Sequence, residues 1–207
     1  MPKELYTEAQ GLPLHCCFSG PSDLLTRDAP PLAWGIAPSP LGPLLAVWLQ
    51  DALWRLCFAP EQQLPDQTLE TALRPCPPPA AGSLPPADHQ RAARLMTRIF
   101  SGESTPPLRL RLEGTPFQCR VWHALLHVPK GQTVSYGDLA QRAGYPQAAR
   151  AVGTAMAQNP IVFLVPCHRV IRAGGQSGNY GGGAALKARL LDWERRSPRD
   201  APMPRLY

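Results

Sequence analysis

A Pro-Cys-His-Arg segment that follows a short apolar run, residues 161–165, constrains this chain more than any other stretch. The apolar run predicts a short buried strand. Pro166 cannot continue a central strand ladder and fixes φ at a value suited to a helical turn, so we predict that the strand stops there and that Cys167 begins a turn. At the start of such a turn the positive end of the helix dipole favours a thiolate, and His168 and Arg169 add to this effect. The segment therefore predicts a reactive cysteine; the alternative is a small buried cysteine without chemistry.

The composition indicates a globular protein rather than a membrane protein or a disulfide-rich one. Hydrophobic residues make up 44% of the 207 residues, yet no apolar run approaches the ~20 residues of a membrane span. The N-terminus lacks a signal-peptide pattern, because Lys3, Glu4 and Glu8 are not followed by an apolar stretch. The six cysteines are irregularly spaced, which is not the pattern of a disulfide framework. We therefore expect a protein that does not associate with a membrane. We expect it to be in a reducing compartment, the cytoplasm of a bacterium or the nucleus of a eukaryote.

The cysteines and histidines of the first half lack the ligand spacing of a zinc site. Such a site typically contains pairs with a spacing such as C-x2-C, and no such pair occurs in this sequence. We therefore predict no metal, and ordinary roles for His15, Cys16, Cys17, Cys57, Cys76 and His89.

Positive charge is concentrated in the second half of the chain. Residues 114–207 contain 12 Lys and Arg against 4 Asp and Glu, whereas residues 1–113 contain 9 against 11. A basic region beside a near-neutral one suggests a polyanion as partner, with nucleic acid first. The alternative is that the basic residues only keep the surface soluble, and charge alone does not decide between the two.

The first half of the chain predicts a small α+β unit, residues 32–113, after an extended lead-in, residues 1–31. Three short apolar runs separated by turn residues predict an antiparallel meander. A proline-dense stretch must form a loop. The predicted elements are strands at 32–36, 44–49, 53–58 and 108–112, helices at 67–73 and 88–100, and a loop at 75–86.

The second unit, residues 114–196, is predicted to be mostly helical. Ser135 can cap a helix, and a short glycine-containing turn separates that helix from the next. Helix, turn and helix in a basic unit form the helix-turn-helix pattern, whose second helix usually enters a DNA groove. The first predicted helix of this unit begins at Thr115 or Pro116. Three more helices are predicted at residues 136–143, 147–158 and 184–195, followed by a mobile tail at 197–207.

The second helix of this motif has small residues on either side of a single arginine, Arg150. A groove-reading helix normally has several long polar side chains. Small residues suit close approach to a narrow groove with one inserted side chain, but they also suit tight packing between helices. Both interpretations stay open for Ala148, Ala149, Ala151, Gly153 and Ala155.

Cys167 has a candidate base and a candidate orienting acid in the same unit. His168 is its neighbour, and Glu194 on the last predicted helix can reach the imidazole. The glycine-rich residues 178–183 are predicted to form a pocket wall, where backbone N–H groups can approach a ligand. A cysteine hydrolase would have the same Cys-His-acid set, but it would not explain the basic helix-turn-helix.

Taken in order, the motifs of residues 114–194 resemble those of the O6-alkylguanine-DNA alkyltransferase family. The Pro-Cys-His-Arg-Val block inside that ordered series is highly specific, and residues 34–36 and 39–44 resemble the N-terminal sheet of the family more weakly. The resemblance implies an α+β fold, with an N-terminal ribonuclease-H-like antiparallel-sheet domain followed by a helical, winged-helix-like domain that contains the helix-turn-helix. The matching motifs are Gly114-Thr115-Pro116-Phe117-Gln118, Val121-Trp122, Ser135-Tyr136-Gly137, Arg150-Ala151-Val152-Gly153, Asn159-Pro160, Pro166-Cys167-His168-Arg169-Val170, residues 178–183, and Leu190-Leu191 with Glu194.

The resemblance assigns catalytic roles to five residues. Cys167 would accept the alkyl group of guanine O6 in an in-line displacement. His168 would act as base through a water molecule and would be oriented by Glu194. Asn159 would hold the turn around that water and connect the recognition helix to the active site. Tyr136 would donate a proton or a hydrogen bond to guanine N3.

The resemblance also assigns residues that bind the substrate base. The backbone carbonyls of Cys167 and Val170 would accept from the exocyclic amine of guanine. The amide of Gly181 would face O6. Tyr180 and Lys187 would complete the substrate-binding set.

DNA contacts implied by the resemblance centre on the helix-turn-helix. Arg150 would fill the gap left in the duplex by a flipped-out base, with Ala148 and Ala149 against the minor groove. Ser135 and Arg169 are further expected DNA contacts. Additional candidates for phosphate contacts are Lys130, Arg142 and Arg172.

The function implied by the resemblance is direct reversal of DNA damage by a monomer without a cofactor. The alkyl group of O6-alkylguanine, and less efficiently of O4-alkylthymine, in double-stranded DNA would be transferred irreversibly after the base is flipped out. A thioether is a poor leaving group, so the protein would act once. Gly181, where many relatives have serine, predicts a roomier pocket that tolerates adducts larger than methyl. The alternative, a non-enzymatic alkyltransferase-like protein that only binds the lesion, lacks the acceptor cysteine that is present here.

Overall fold

The computed structural model describes residues 4–9, 12–19, 32–59, 86–101 and 106–196. The predicted helix at 67–73, most of the predicted loop at 75–86 and the predicted tail at 197–207 lie outside these residues. Among the helices that the structure describes, none combines the length and the apolar character needed to cross a membrane.

A six-stranded mixed sheet forms the first half of the molecule, with strand order β1-β2-β6-β5-β4-β3. Strands β3, β4 and β5 pair antiparallel in sequence order, which confirms the predicted meander. The β1–β2 pair is also antiparallel, whereas β6 runs parallel to both β2 and β5. The strands are β1 (Glu4–Ala9), β2 (Leu12–Ser19), β3 (Leu32–Ala37), β4 (Leu44–Leu49), β5 (Ala52–Phe58) and β6 (Leu108–Glu113).

The prediction that residues 1–31 form an extended lead-in is wrong for β1 and β2, which complete one edge of the sheet. Leu14, Cys16 and Phe18 are buried in alternation on one face of β2, so this strand contributes to the core. Strand β2 was not predicted, because Pro13 lies within it. Pro13 pairs with Glu8 of β1 but lies just before the register with β6 begins at Leu14, so only one side of the strand is paired at the proline.

The helices follow their sequence signals closely. The helix after β6 is capped by Thr115, whose Oγ1 accepts from the Gln118 amide while the Gln118 side chain accepts from the Thr115 amide. Pro116 is its first residue, as predicted. The helices are α1 (His89–Ser101), α2 (Pro116–Leu126), α3 (Tyr136–Arg142), α4 (Ala149–Ala157) and α5 (Gly183–Arg196), with a two-stranded pair of β7 (Val134–Ser135) and β8 (Val170–Ile171) between them.

One buried hydrophobic cluster extends from the sheet into the helices of the second half, so the two predicted units share a core. The sheet also makes main-chain contacts with the second half. The Leu56 amide in β5 donates to the Pro160 carbonyl at 2.9 Å, and the Val162 amide donates to the Leu56 carbonyl at 2.9 Å. Strand β5 therefore holds the segment that precedes Cys167.

Candidate active site

The apolar run before Cys167 is a buried turn and not the predicted strand. Within this run only Ile161 forms a bridge, a single parallel one with Leu56. The chain then turns: the Leu164 amide donates to the Val162 carbonyl at 2.8 Å, the Val165 amide donates to the Ile161 carbonyl at 3.0 Å, and φ is 70° at Phe163. Apolar content predicted the burial correctly, because Phe163 and its neighbours Leu164 and Val165 are almost fully buried. It could not distinguish an extended conformation from a compact one.

Cys167 begins a single 3-10 turn, residues Cys167–Arg169, directly after Pro166, as predicted. The Arg169 amide donates to the Pro166 carbonyl at 2.9 Å and closes the turn. Asn159 Nδ2 donates both to the Val165 carbonyl at 2.8 Å and to Cys167 Sγ at 3.1 Å, while its Oδ1 accepts from the Ile161 amide. Asn159 lies just after α4, so one side chain connects that helix to the cysteine.

His168 and Glu194 form the predicted pair, fully removed from solvent. His168 Nε2 lies 2.8 Å from Glu194 Oε1, and neither side chain has exposed surface. The other carboxylate oxygen of Glu194 accepts from the Gly131 amide at 3.0 Å. His168 Nδ1 is buried and has no hydrogen-bond partner among the described residues.

The charge states of this pair follow from burial and contacts. Burial disfavours the Glu194 carboxylate, but hydrogen bonds from His168 and Arg169 and the charge of Arg169 outweigh it and hold the pKa of Glu194 well below its usual range. Burial lowers the pKa of His168, and Glu194 offsets only part of that change. A neutral imidazole facing a carboxylate must carry its proton on Nε2, which leaves the lone pair of Nδ1 available as a base.

The prediction that the turn favours a resting thiolate is wrong. Burial raises the pKa of Cys167, and the hydrogen bond from Asn159 and the charge of Lys187 offset only part of the increase. A turn of three residues provides few aligned peptide dipoles to oppose burial. The resting cysteine is therefore a thiol, and it needs a base to become a nucleophile.

The prediction that Arg169 contacts DNA is also wrong, because its side chain is 3% exposed. Its Nε and Nη2 donate to Glu194, and its Nη1 donates to the Val128 carbonyl at 2.6 Å. Arg169 instead fixes the carboxylate that orients His168.

A cavity of about 830 Å³ opens in front of Cys167 and collects most of the predicted site residues. Helix α3, helix α4 and the glycine-rich loop form its walls. Arg172, predicted only as a phosphate contact, is exposed and also lines it. The predicted residues that line the cavity are Ser135, Tyr136, Ala149, Arg150, Asn159, Cys167, Tyr180 and Gly181.

The helix-turn-helix consists of α3, a turn over residues 143–148, and α4. Ser135 caps α3 by accepting from the Asp138 amide at 3.0 Å, as predicted. On α4 the buried side chains are Val152, Ala155 and Met156, so the helix packs through that side. Arg150 is exposed at the cavity, and the start of the helix at Ala148 and Ala149 is half-buried. The small residues thus serve helix packing on one side and leave a shallow surface around Arg150 on the other.

Lys187 does not line the cavity, so the expectation that it contacts the substrate is wrong. Its side chain is fully buried, and Nζ donates to the Val170 carbonyl at 2.6 Å and to the Gly178 carbonyl at 3.4 Å. Lys187 therefore connects β8, the strand that follows the turn at Cys167–Arg169, to the glycine-rich loop.

Tyr136 and Gly178 meet at the cavity wall. A Cβ atom added to Gly178 would lie 2.1 Å from the Tyr136 hydroxyl, so the position of Tyr136 requires glycine there. Burial raises the pKa of Tyr136, so its hydroxyl keeps its proton near neutral pH.

Phe58, the last residue of β5, supports the glycine-rich loop and was missed in the sequence. Its ring contacts Tyr180 edge to face at 5.9 Å between centroids. A Cβ atom on Gly182 would lie 2.9 Å from Phe58, so ring and loop backbone are in close contact. No local pattern could have shown this, because more than 100 residues separate the two.

Comparisons with known proteins identify the family of this chain. Residues 116–196 match the family described as 6-O-methylguanine DNA methyltransferase, DNA binding domain. A methylated-DNA–protein-cysteine methyltransferase of Mycobacterium leprae is 44% identical over 159 residues, which cover 76% of this chain and 88% of that protein. A protein of the same name from Methanosarcina acetivorans is 35% identical over 165 residues, covering 78% and 97%.

A solved structure gives the same result for the fold. The crystal structure of Mycobacterium tuberculosis OGT in complex with DNA superposes with a TM-score of 0.61 at 38% sequence identity, covering 81% of this chain and 96% of that one. The shared identity extends over most of the length of both proteins in each comparison. The chain belongs to the methylated-DNA–protein-cysteine methyltransferase family.

Proposed function

We propose that this protein repairs alkylated DNA by transferring the alkyl group of O6-alkylguanine to Cys167, once per molecule. The observation that carries the proposal is the thiol at the floor of a cavity, beside a neutral imidazole whose orientation Glu194 fixes. The arginine-bearing helix of the helix-turn-helix borders the same cavity.

The reaction starts with loss of the Cys167 proton. His168 Nδ1 accepts it through a water molecule, and Glu194 stabilises the imidazolium that forms. The thiolate attacks the alkyl carbon, so an S–C bond forms while the bond between that carbon and guanine O6 breaks. Guanine leaves with the electron pair, and Tyr136 donates a proton or hydrogen bond at N3. No cofactor enters this balance, and the thioether is not cleaved afterwards.

The target base must leave the duplex to reach the thiol. Guanine O6 lies within the base stack, and Cys167 is buried at the floor of its cavity, so a flipped-out base is the form that can react. Arg150 is exposed at the cavity and would fill the space in the duplex, while Ala148 and Ala149 allow close approach to the minor groove. Positive charge from Arg172 at the same opening favours the phosphate backbone.

The specific lesion, the reading of the base by the Val170 carbonyl and the Gly181 amide, and slower transfer from O4-alkylthymine are part of this proposal. That the protein is a monomer and that its two halves are ribonuclease-H-like and winged-helix-like stay predictions from the resemblance. Its place in the cytoplasm or a nucleus stays a prediction from the cysteine pattern.

The test is to incubate the full chain with duplex DNA containing one O6-methylguanine and to weigh the intact protein. We expect one added methyl group per molecule, located on Cys167 by peptide mapping, and no addition in Cys167→Ala. Tight binding without a mass change would instead support the lesion-binding alternative. Continued release of product beyond one equivalent would contradict single turnover and support a hydrolase.

A second experiment tests the tolerance of larger adducts. A Cβ atom on Gly181 would make only ordinary contact, with Phe58 at 3.9 Å, so the backbone at this position has room for a side chain that the wall now lacks. We expect O6-benzylguanine to label Cys167 and Gly181→Ser to slow benzyl transfer more than methyl transfer. Absence of benzyl labelling in an otherwise active protein would contradict this part of the proposal alone.

A further inference from the structure

Three side chains that can bind a metal lie together on the outer face of β1 and β2, on strands that contribute nothing to the active-site cavity. The antiparallel register places Glu4 directly opposite Cys17. His15 is two residues before Cys17 and therefore faces the same way. The opposite face of β2, with Leu14 and Cys16, is buried in the core.

The donor atoms of Glu4, His15 and Cys17 are nearly as close together as the ligands of a bound metal ion. His15 Nε2 lies 3.6 Å from Glu4 Oε2 and 3.9 Å from Cys17 Sγ. All three ligand atoms lie within 4.8 Å of one another. Ligands of a tetrahedral zinc ion are about 3.3–3.8 Å apart when bond lengths are ~2.0–2.3 Å. Small rotations of the side chains would therefore bring them into coordination.

The neighbouring residues hold the central ligand in place. The His15 side chain is only 14% exposed, and its ring stacks on Tyr6 at 4.3 Å with an interplanar angle of 3°. This packing restricts the imidazole so that Nε2 stays between Glu4 and Cys17. A preformed ring orientation lowers the entropy cost of binding an ion.

Two arginines lie beside the cluster, and each is engaged by a carboxylate. In the register with β6, Arg109 is opposite His15 and Arg111 is opposite Cys17. Arg109 pairs with Asp51, and Arg111 pairs with Glu113. Their positive charge is thus partly neutralised, which reduces its repulsion of a divalent cation.

We propose that Glu4, His15 and Cys17 bind a zinc ion, with water as the fourth ligand. A thiolate and an imidazole select zinc over magnesium or calcium, and the carboxylate adds negative charge. Binding would replace the Cys17 thiol proton by a Zn–S bond and release that proton to solvent. The ion would join β1, the edge strand, to β2 and stabilise the end of the sheet. Sequence spacing could not show the site, because Glu4 comes from a different strand.

Cobalt(II) is the spectroscopic probe for this site in the full-length, chelator-treated protein. We expect one equivalent of Co²⁺ to produce thiolate-to-cobalt charge-transfer absorption that one equivalent of Zn²⁺ removes. Cys17→Ala and His15→Ala should each abolish this absorption, whereas Cys57→Ala, which removes another partly exposed thiol of the same sheet, should retain it. Zn²⁺ should raise the Tm of the unaltered protein and of Cys57→Ala only.

Folding of each variant is checked by its circular dichroism and by methyl transfer to Cys167, which does not involve these strands. Absence of the charge-transfer absorption in the unaltered protein would overturn the proposal. Its persistence in a folded Cys17→Ala variant would also overturn it, since the ion would then bind another thiol. Neither result affects the alkyl-transfer function, which is measured separately.

Discussion

Gly178 and Gly181 belong to the same loop but differ in what a side chain would meet. A Cβ atom on Gly178 would lie 2.1 Å from the Tyr136 hydroxyl, whereas one on Gly181 would be at 3.9 Å from Phe58. We predict that Gly178→Ala slows methyl transfer about 10- to 100-fold, because it displaces Tyr136 from the cavity wall. Gly181→Ala is the matched control and should stay near the rate of the unaltered protein. Single-turnover kinetics with saturating DNA measure both, and equal rates for the two variants would contradict the role of Tyr136.

The protonation states of Cys167 and His168 predict the pH dependence of the reaction. Burial lowers the pKa of His168. The imidazole therefore stays neutral, and able to accept a proton, at pH values below the ordinary histidine pKa of about 6.5. Burial raises the pKa of Cys167, so the thiol stays protonated through the neutral range and depends on His168, and the rate should be level between the two pKa values. In a single-turnover pH–rate profile at saturating DNA, we expect the midpoint of the acid limb to lie below a pH of about 6.5. An acid limb at or above that value would contradict a buried neutral base.

At the scale of elements, helix α5 is joined to the reactive turn through one carboxylate. Glu194 accepts hydrogen bonds from Arg169 and the Gly131 amide and pairs with His168. A buried charge network of this kind is strongly destabilised when one member is removed, because the remaining charges lose their partner. The same contacts that orient the base thus hold the helix in place.

We predict that Glu194→Gln lowers the free energy of unfolding by about 3–5 kcal/mol at pH 7. Asp192→Asn on the same helix is the control, since the Asp192–Arg196 pair is exposed and should contribute at most about 0.5 kcal/mol. Urea unfolding of both variants measures the difference. A similar small loss for both would show that the buried network does not stabilise the fold.

The same variant has a predicted pH dependence. The folded-state pKa of Glu194 is depressed, so its contribution to stability is fully present above the unfolded-state value of about 4.3. That contribution is lost as the pH falls towards the folded-state pKa. The difference in stability between the unaltered protein and Glu194→Gln should therefore shrink below pH of about 4.3, as urea unfolding at several pH values would show. A difference that is constant from pH 7 to 3.5 would contradict the depressed pKa.

Elements with local signals could be predicted from the sequence, and those defined by distant partners could not. Thr115 and Pro116 specify the start of α2, and Ser135 specifies the start of α3, because capping involves residues three positions apart. The turn before Cys167 depends instead on Leu56, which forms a single bridge with Ile161 and accepts a hydrogen bond from the Val162 amide. Its compact form therefore has no signature within residues 161–165.

The site shows the same division. Cys167, His168 and Glu194 were identified because residue type and order carry the chemistry. Arg169 looked like a DNA contact because nothing in the sequence shows that Glu194 and the Val128 carbonyl engage its guanidinium. The buried position of Lys187 likewise follows from carbonyls of other segments.

At the scale of the whole molecule, the sheet supports the active site from behind. Strand β5 pairs through Leu56 with the segment after Asn159, and its last residue, Phe58, packs under the glycine-rich loop. Strand β5 thus supports both the segment that leads to Cys167 and the glycine-rich wall of the cavity. The sheet and the helices of the second half share one hydrophobic core behind the active site.

This arrangement predicts that Phe58→Ala slows methyl transfer although the residue lies outside the cavity. Removing the ring leaves Tyr180 and the backbone of Gly182 without their support, so we expect a loss of about tenfold in the single-turnover rate. Cys57→Ala is the matched control, because Cys57 points to the other face of β5 and packs in a separate cluster. Hydrogen exchange should rise in residues 178–183 of Phe58→Ala and remain unchanged in Cys57→Ala. Equal rates and equal exchange in the two variants would mean that the loop holds its shape without the sheet.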